Sequence, residues 1–119
     1  MIISFGWTSE YLPPKGPKEV TRRVWKERTL KAWQKAWDEG RKIHDAVNRS
    51  LSYGGNRIGK VELIARPYLE KLSDMPDSDV IKEGGMVPTK QEYIDKYFEG
   101  NRNKVVAVVR FKYQPNEGS

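Results

Sequence analysis

The sequence predicts an α+β domain, a small β-barrel of about five to six strands with flanking helices. Segments with the two-residue alternation of strands occur near both ends and in the middle of the chain. The helical segments are few, and they do not alternate with strands as a doubly wound sheet requires. We expect one domain over residues 1–113 of the 119, with residues 114–119 forming a disordered tail.

Five segments are predicted as strands. They are residues 2–7, 19–25, 42–48, 58–67 and 104–113. The first and fourth alternate between apolar and polar or small side chains, whereas the last is rich in β-branched residues. The third has a mixed pattern.

A tryptophan-rich helix is predicted over residues 29–39, with Thr29 as its N-cap and Gly40 as its stop. Its apolar stripe consists of Leu30, Trp33 and Trp37. Stacking of the two tryptophans on a nucleic-acid base is the alternative, but an aromatic stripe at helical spacing is typical of core packing.

Three shorter segments precede the last strand. Residues 69–75 are interpreted as a turn or a short helix, and a second short helix starts at Asp77 or Ser78. Thr89 and Glu92 have the spacing of a capping box, which predicts a helix to about Glu99.

The composition disfavours several classes of protein. The chain has no cysteine and a single histidine, His44, so disulfides and thiolate zinc sites are excluded and a reducing cytoplasm is expected. The cluster formed by Asp74, Asp77, Asp79 and Glu83 lacks the glycine and spacing of a calcium loop. No apolar run is long enough to span a membrane. We therefore expect no metal, no cofactor and no membrane partner. We also expect a monomer.

Positive charge is concentrated in one part of the chain. The net charge is +6, and residues 15–42 hold ten Lys/Arg against four Asp/Glu, whereas the rest is balanced. Such clustering is typical of proteins that bind polyanions, although a solvated basic helix face gives the same pattern.

Residues 16–23, Gly-Pro-Lys-Glu-Val-Thr-Arg-Arg, form the most informative segment. In an extended chain Thr21 and Arg23 share a face, Arg22 points the other way, and Lys18 lies at the entrance of the strand. An amine, a hydroxyl and a guanidinium close together would bind a phosphate, a carboxylate or a carbonyl. A solvated basic edge strand is the alternative.

Glu83 is the carboxylate that we single out. Gly84 and Gly85 follow it and would allow the backbone to pass close to a ligand. An exposed helical glutamate is the alternative interpretation.

Residues 16–23 resemble the Gly-x-Lys-x-x-Thr-x-Arg signature of the ASCH domain, a branch of the PUA-like superfamily. Residues 58–63, 79–85 and 106–111 are similar to that family's central strand, acidic helix end and closing strand. The resemblance spans about residues 1–113, and similar short proteins occur in bacteriophage genomes. It implies a PUA-like β-barrel with a cleft that holds the signature.

The same resemblance implies a ligand class, RNA, another nucleic acid or a nucleotide. Some small relatives are similar to amidohydrolases that deacetylate N4-acetylcytidine with a lysine, a threonine and a glutamate. By motif position those roles would belong here to Lys18, Thr21 and Glu83.

Two hypotheses of function follow. In the favoured one, the chain is a binding module whose cleft takes a base. Its proposed ligand contacts are Lys18, Thr21, Arg22, Arg23, Lys26, Lys31 and Lys35, with Arg22 and the last three on phosphates. In the alternative, Lys18, Thr21 and Glu83 hydrolyse an acylated base. An interaction protein without a small-molecule site is a third possibility, which no feature singles out.

Overall fold

A six-stranded sheet, curled into half a barrel, forms the centre of the molecule and confirms the predicted fold class. The computed structural model describes residues 1–49 and 51–116. The strands are β1 (Ile2–Ser4), β2 (Val20–Arg23), β3 (Ile43–Val47), β4 (Arg57–Leu63), β5 (Tyr68–Lys71) and β6 (Val105–Pro115). The α-helices of the described part are α1 (Glu27–Asp38), α2 (Asp79–Lys82) and α3 (Lys90–Phe98).

Strand β6 organises the sheet. It is 11 residues long and pairs antiparallel with β2, β4 and β5. The sheet order is β1-β3-β4-β6-β2, and β1 lies parallel to β3. Residues 106–109 of β6 are all buried. An uninterrupted apolar run of this kind is expected where both faces of a strand are covered.

Two apolar clusters flank this strand. The first lies under α1 and includes Phe5, Trp33 and Phe111. Trp33 is 3% exposed and stacks on Trp25 with 5.4 Å between ring centroids. Trp37 is half-buried, with the Lys42 ammonium over its ring. The predicted apolar stripe therefore packs in the core as expected.

The second cluster lies beneath α2 and α3. Its buried members are Leu72, Met75, Val80, Tyr93, Ile94 and Val106. The predicted capping box begins α3, where the Thr89 hydroxyl accepts a hydrogen bond of 3.2 Å from the Glu92 backbone N–H. The helix ends at Phe98, and its C-cap Glu99 has a left-handed conformation and is followed by Gly100.

Several element boundaries differ from the prediction. Strand β1 ends at Ser4, and a 3₁₀ helix (Gly6–Tyr11) follows it. Helix α1 starts at Glu27 with Lys26 as its N-cap, so the prediction that Thr29 caps this helix is wrong. Residues 68–71 form β5 because the exposed edge of β6 is available for pairing, which no local pattern in the sequence reveals.

The ends of β4 and β6 also shift. β4 stops at Leu63 rather than at residue 67. β6 continues through Gln114 and Pro115, which were expected in the tail, because these residues pair with Lys60 and Gly59. Residues 117–119 of the predicted tail lie outside the described residues. Within the described part of the chain, no helix is long and apolar enough to cross a membrane.

Candidate functional site

Backbone hydrogen bonds bring the segment before β2 against the end of α2. The Glu19 N–H donates to the Lys82 carbonyl at 2.7 Å, and the Glu19 carbonyl accepts from the Phe111 N–H on β6 at 3.0 Å. The Lys18 N–H donates to the Tyr11 carbonyl at 2.9 Å. These bonds place Lys18 beside Glu83, although 65 residues separate the two in sequence.

Two glycines permit this close approach. A Cβ on Gly16 would lie 2.5 Å from the Tyr11 carbonyl oxygen, a backbone atom that cannot move aside cheaply. Gly84 has φ +138°, which residues with a side chain rarely adopt, and its Cβ would meet Tyr11 and Met86 at 3.1 Å. The loop before β2 and the turn after Glu83 can therefore pack against the same tyrosine.

A cavity of about 530 Å³ lies between β2, the C-terminal end of α2, α3 and the segment that begins at Ser4. Lys18, Thr21, Arg23 and Glu83 supply polar groups to its lining. Aromatic side chains also line it, namely Phe5, Tyr93, Tyr97 and Phe98. Its volume lies in the range typical of sites for small ligands. The three residues of the expected lysine–threonine–glutamate set thus line one cavity.

Lys18 is 2% exposed and donates its three N–H groups to three oxygens. These are the carbonyls of Val20 at 3.2 Å and Glu83 at 2.9 Å, and the Glu83 carboxylate at 3.4 Å. Burial lowers the pKa of Lys18 below 10.5, and the attraction of Glu83 only partly opposes that effect. A buried amine with a lowered pKa, next to a carboxylate in a cavity, is typical of functional sites.

Glu83 is also held by Arg22, which donates to its second carboxylate oxygen at 2.8 Å. Arg22 further donates to Glu70 at 3.0 Å and to Asp79. Arg110 on β6 contacts the same Asp79 carboxylate at 3.1 and 2.7 Å. This network ties β2, β5, β6 and α2 together around the floor of the cavity.

Arg22 therefore has surroundings different from those expected. Its side chain is fully buried among three carboxylates. Although burial alone would lower it, the pKa of Arg22 is raised, first by Glu83 and then by Asp79 and Glu70. The phosphate contact expected of Arg22 is corrected, because its fully buried guanidinium is already shared by three carboxylates and has no surface to offer a phosphate.

Thr21 and Arg23 are the other two of the four polar residues named above in the cavity lining. The Arg23 Nε–H donates to the Thr21 hydroxyl oxygen at 3.0 Å, so this hydroxyl keeps its own proton for donation. The Arg23 guanidinium lies 5.5 Å from the Phe5 ring centroid. Burial lowers the pKa of Arg23, and Glu83 opposes this only in part.

The remaining expected phosphate contacts lie elsewhere. Lys26, Lys31 and Lys35 are exposed at the start and on the outer face of α1, and they are not among the residues that line the cavity. Lys31 forms a surface ion pair with Glu27 at 2.9 Å. The sequence thus predicts one continuous set of ligand contacts. The structure instead places some of these residues at the cavity and the three lysines on the exposed surface of the protein.

Two features of the site were missed in the sequence. Asp79 was considered only as a member of an acidic cluster, although it precedes Glu83 by four residues and therefore shares its helix face. Tyr93 lies in the helix predicted after Thr89, and its spacing there gives no sign of a role in the site. It lines the cavity, and burial, together with the nearby Glu83 charge, raises its pKa above 10.0.

Other places in the described residues offer less chemistry. A second cavity, of about 490 Å³, lies between Leu12 and Tyr113, and the charged residues that line it are all exposed. No group of three or more histidine, aspartate or glutamate side chains is arranged to hold a metal ion within residues 1–49 and 51–116.

Comparison with known proteins returned no match to a family model, to a curated protein or to a solved structure. The resemblance to the ASCH domain therefore stays a prediction.

Proposed function

We propose that the cavity between β2, α2 and α3 binds the base of a nucleotide or of an RNA chain. The observation that carries this proposal is the meeting of Lys18, Thr21, Arg23 and Glu83 at a cavity with aromatic walls. Aromatic side chains stack on bases of any sequence, each contact contributing about 1–3 kcal/mol. The polar side chains supply donors and acceptors for the edge of a base.

The proposal assigns separate roles to the buried and the exposed cations. Thr21 and Arg23 contact the ligand in the cavity, Lys18 holds Glu83 beside it, and Lys26, Lys31 and Lys35 contact phosphates along an RNA chain. Arg22 serves the protein itself, because it holds Asp79 and Glu83 in place.

Calorimetric titration of the four common ribonucleosides tests the cavity. We expect at least one to bind, and we expect Thr21→Val to weaken that binding by about tenfold, since a hydrogen bond to the ligand is lost. Thr29→Val, on α1 and outside the cavity, is the matched control. Absence of binding by every nucleoside and by single-stranded RNA would contradict the proposal.

The exposed lysines have their own test in the salt dependence of RNA binding. The logarithm of the association constant should fall with the logarithm of salt concentration, by a slope of about 0.7 per phosphate contacted. Replacing Lys26, Lys31 and Lys35 together by glutamine should reduce that slope by about 2. An unchanged slope would remove these lysines from the interface.

Hydrolysis of an acylated base, such as N4-acetylcytidine, is the second candidate function. The pairing of a buried lysine of lowered pKa with Glu83, near the Thr21 hydroxyl, favours it. Lys18 would first pass a proton to Glu83 and turn from the Val20 carbonyl toward Thr21. The resulting neutral amine would then accept the hydroxyl proton as the Thr21 oxygen attacks the acyl carbon.

The remaining steps balance without a cofactor. Glu83 then donates the proton that it received from Lys18 to the nitrogen of the nucleobase as the carbon–nitrogen bond breaks. This step leaves an acyl ester on Thr21. Water then attacks this ester, the acid is released, and the threonine hydroxyl regains a proton. In an alternative form of this mechanism, Thr21 only orients a water molecule that attacks the acyl carbon directly, and no ester forms on Thr21.

Incubation of the protein with N4-acetylcytidine, followed by chromatography for cytidine, tests this candidate. Thr21→Ala and Glu83→Gln should each abolish turnover, and circular dichroism would verify that both variants are folded. Activity of Thr21→Ala equal to that of the unaltered protein would eliminate the mechanism.

One broader expectation, a cytoplasmic location, belongs to the same proposal. The absence of cysteine agrees with a cytoplasmic location, and an RNA ligand would be found there. Cell fractionation would test it, and recovery of the protein outside the cytoplasm would contradict it.

A further inference from the structure

The charges around the cavity do not cancel. The charged residues of this group are those of the cavity lining together with the residues joined to them, directly or through one another, by ion pairs. The cations are Lys18, Arg22, Arg23 and Arg110, and the carboxylates are Glu70, Asp79 and Glu83. Arg22 contacts all three carboxylates, Arg110 contacts Asp79, and Lys18 contacts Glu83. One positive charge is left over, and it belongs to the residue that takes part in none of these pairs.

That residue is Arg23. No carboxylate of the described residues lies within ion-pair distance of it, and its guanidinium contacts the Thr21 hydroxyl and the Phe5 ring. The Thr21 contact uses Nε, which leaves the two terminal nitrogens for other acceptors. Arg23 is half-buried and is one of the residues that line the cavity. In the described part no fully buried side-chain nitrogen or oxygen lacks a partner, so these terminal nitrogens keep some exposed surface.

We propose that Arg23 forms an anion subsite inside the cavity, so that the ligand combines an aromatic ring with a negatively charged oxygen group. Two terminal N–H groups of a guanidinium match two oxygens of a carboxylate or a phosphate. The ring would lie among the aromatic walls, which is the part of this inference that rests on the proposed function. The lowered pKa of Arg23 agrees with it, because an anion would compensate the burial of the charge.

The subsite is distinct from the exposed lysines of α1. Those lysines lie outside the cavity and would contact any phosphate backbone. Arg23 instead binds one anionic group of the ligand at a fixed position next to the Thr21 hydroxyl. The predicted ligand is therefore a small anionic ring compound, or a single nucleotide of a longer chain whose phosphate enters the cavity.

Calorimetry with matched ligands tests the subsite. Cytidine 5′-monophosphate represents the phosphate, 6-carboxyuracil represents the carboxylate, and cytidine and uracil are their uncharged counterparts. We expect at least one charged member to bind about tenfold or more tightly than its counterpart. Equal affinities in both pairs would overturn the inference, while binding of cytidine alone would leave the proposed function standing.

Variants identify the residue responsible. Arg23→Gln should remove the preference for the charged ligand, whereas Arg23→Lys should keep part of it. Arg28→Gln, at an exposed position of α1, is the matched control and should retain the full preference. A full preference in folded Arg23→Gln would overturn the assignment to Arg23.

A second measurement tests whether Arg23 binds an anion, and it applies even if no ring compound binds and the proposed function is wrong. The Nε–H resonance of Arg23, assigned by its loss in Arg23→Lys, is followed by nuclear magnetic resonance during titration with inorganic phosphate and with acetate. We expect a saturable shift with at least one anion that chloride at equal ionic strength does not produce. No shift, or the same shift with chloride, would overturn the inference.

Discussion

At the residue scale, Arg22 has the most demanding position in the molecule. Its guanidinium meets Glu70, Asp79 and Glu83, which come from two separate segments of the chain. Removing a partner from a buried ion pair costs far more than the pair contributes, because a charge is left buried and unpaired. Arg22 therefore stabilises the cavity floor and keeps the Glu83 carboxylate in a fixed orientation.

We expect Arg22→Met to lower the free energy of unfolding by about 3–5 kcal/mol, since Asp79 and Glu83 lose their shared cation. Urea denaturation followed by circular dichroism measures this loss. Arg28→Met, at an exposed site on α1, should change stability by less than about 0.5 kcal/mol. A loss in Arg22→Met as small as that of the control would show that the buried network does not stabilise the fold.

Lys18 gives a prediction about pH. Its pKa in the folded protein is below the ordinary 10.5, so between these two values the unfolded chain binds more protons than the folded one. Stability therefore rises with pH in that interval. The free energy of unfolding of the unaltered protein should rise, relative to that of Lys18→Met, as pH increases toward 10.5.

Urea denaturation at several pH values from neutrality to pH 10 measures this difference. Lys26→Met, which replaces an exposed lysine, is the control and should follow the unaltered protein. Parallel curves for Lys18→Met and the unaltered protein would contradict the lowered pKa of Lys18.

The sequence foretold part of the residue-scale arrangement. Strand alternation correctly separates Arg22 from Thr21 and Arg23, and the glycines after Glu83 indicated a close approach of backbone. It could not show that the side of β2 occupied by Arg22 is covered by carboxylates from β5 and α2. That burial depends on segments 48 to 61 residues away, which no local pattern encodes.

At the element scale, helix caps separate what could be predicted from what could not. Thr89 caps α3 as its spacing with Glu92 predicts, because the capping box is a purely local motif. Helix α1 begins two residues before the expected cap Thr29, and Lys26 offers no side-chain acceptor there. Packing of Leu30 and Trp33 against the sheet fixes α1 without a cap.

The two caps lead to opposite predictions. Lys26→Ser should stabilise the protein by about 1 kcal/mol, because a hydroxyl in the extended N-cap conformation can accept from a free backbone N–H. Thr89→Ala should destabilise it by about the same amount. Thermal unfolding monitored by circular dichroism measures both, with Lys31→Ser inside α1 as the control. Destabilisation by Lys26→Ser would contradict the assigned start of α1.

Strand β5 shows the other limit of the sequence at this scale. Residues 68–71 alternate between half-buried and exposed, yet their apolar content is too low to mark a strand. They become one because β6 offers a partner edge at residues 105–108. Long-range pairing of this kind is visible only once the whole sheet is assembled.

At the scale of the whole molecule, the position of the cavity follows from the two apolar clusters. One cluster lies under α1 and the other under α2 and α3, and β6 contributes to both. The cavity lies where β2 faces the end of α2 and helix α3. Buried polar side chains collect there, which is the expected cost of a functional site in an otherwise apolar interior.

The account depends most on this cavity being the place where ligand binds. Nuclear magnetic resonance of backbone amides during titration with each of the four common ribonucleoside 5′-monophosphates tests it most directly. The largest shift changes should occur at Thr21, Glu83 and Tyr93 and saturate together. Changes confined to the exposed face of α1, or their absence at ligand concentrations up to the millimolar range, would contradict the account.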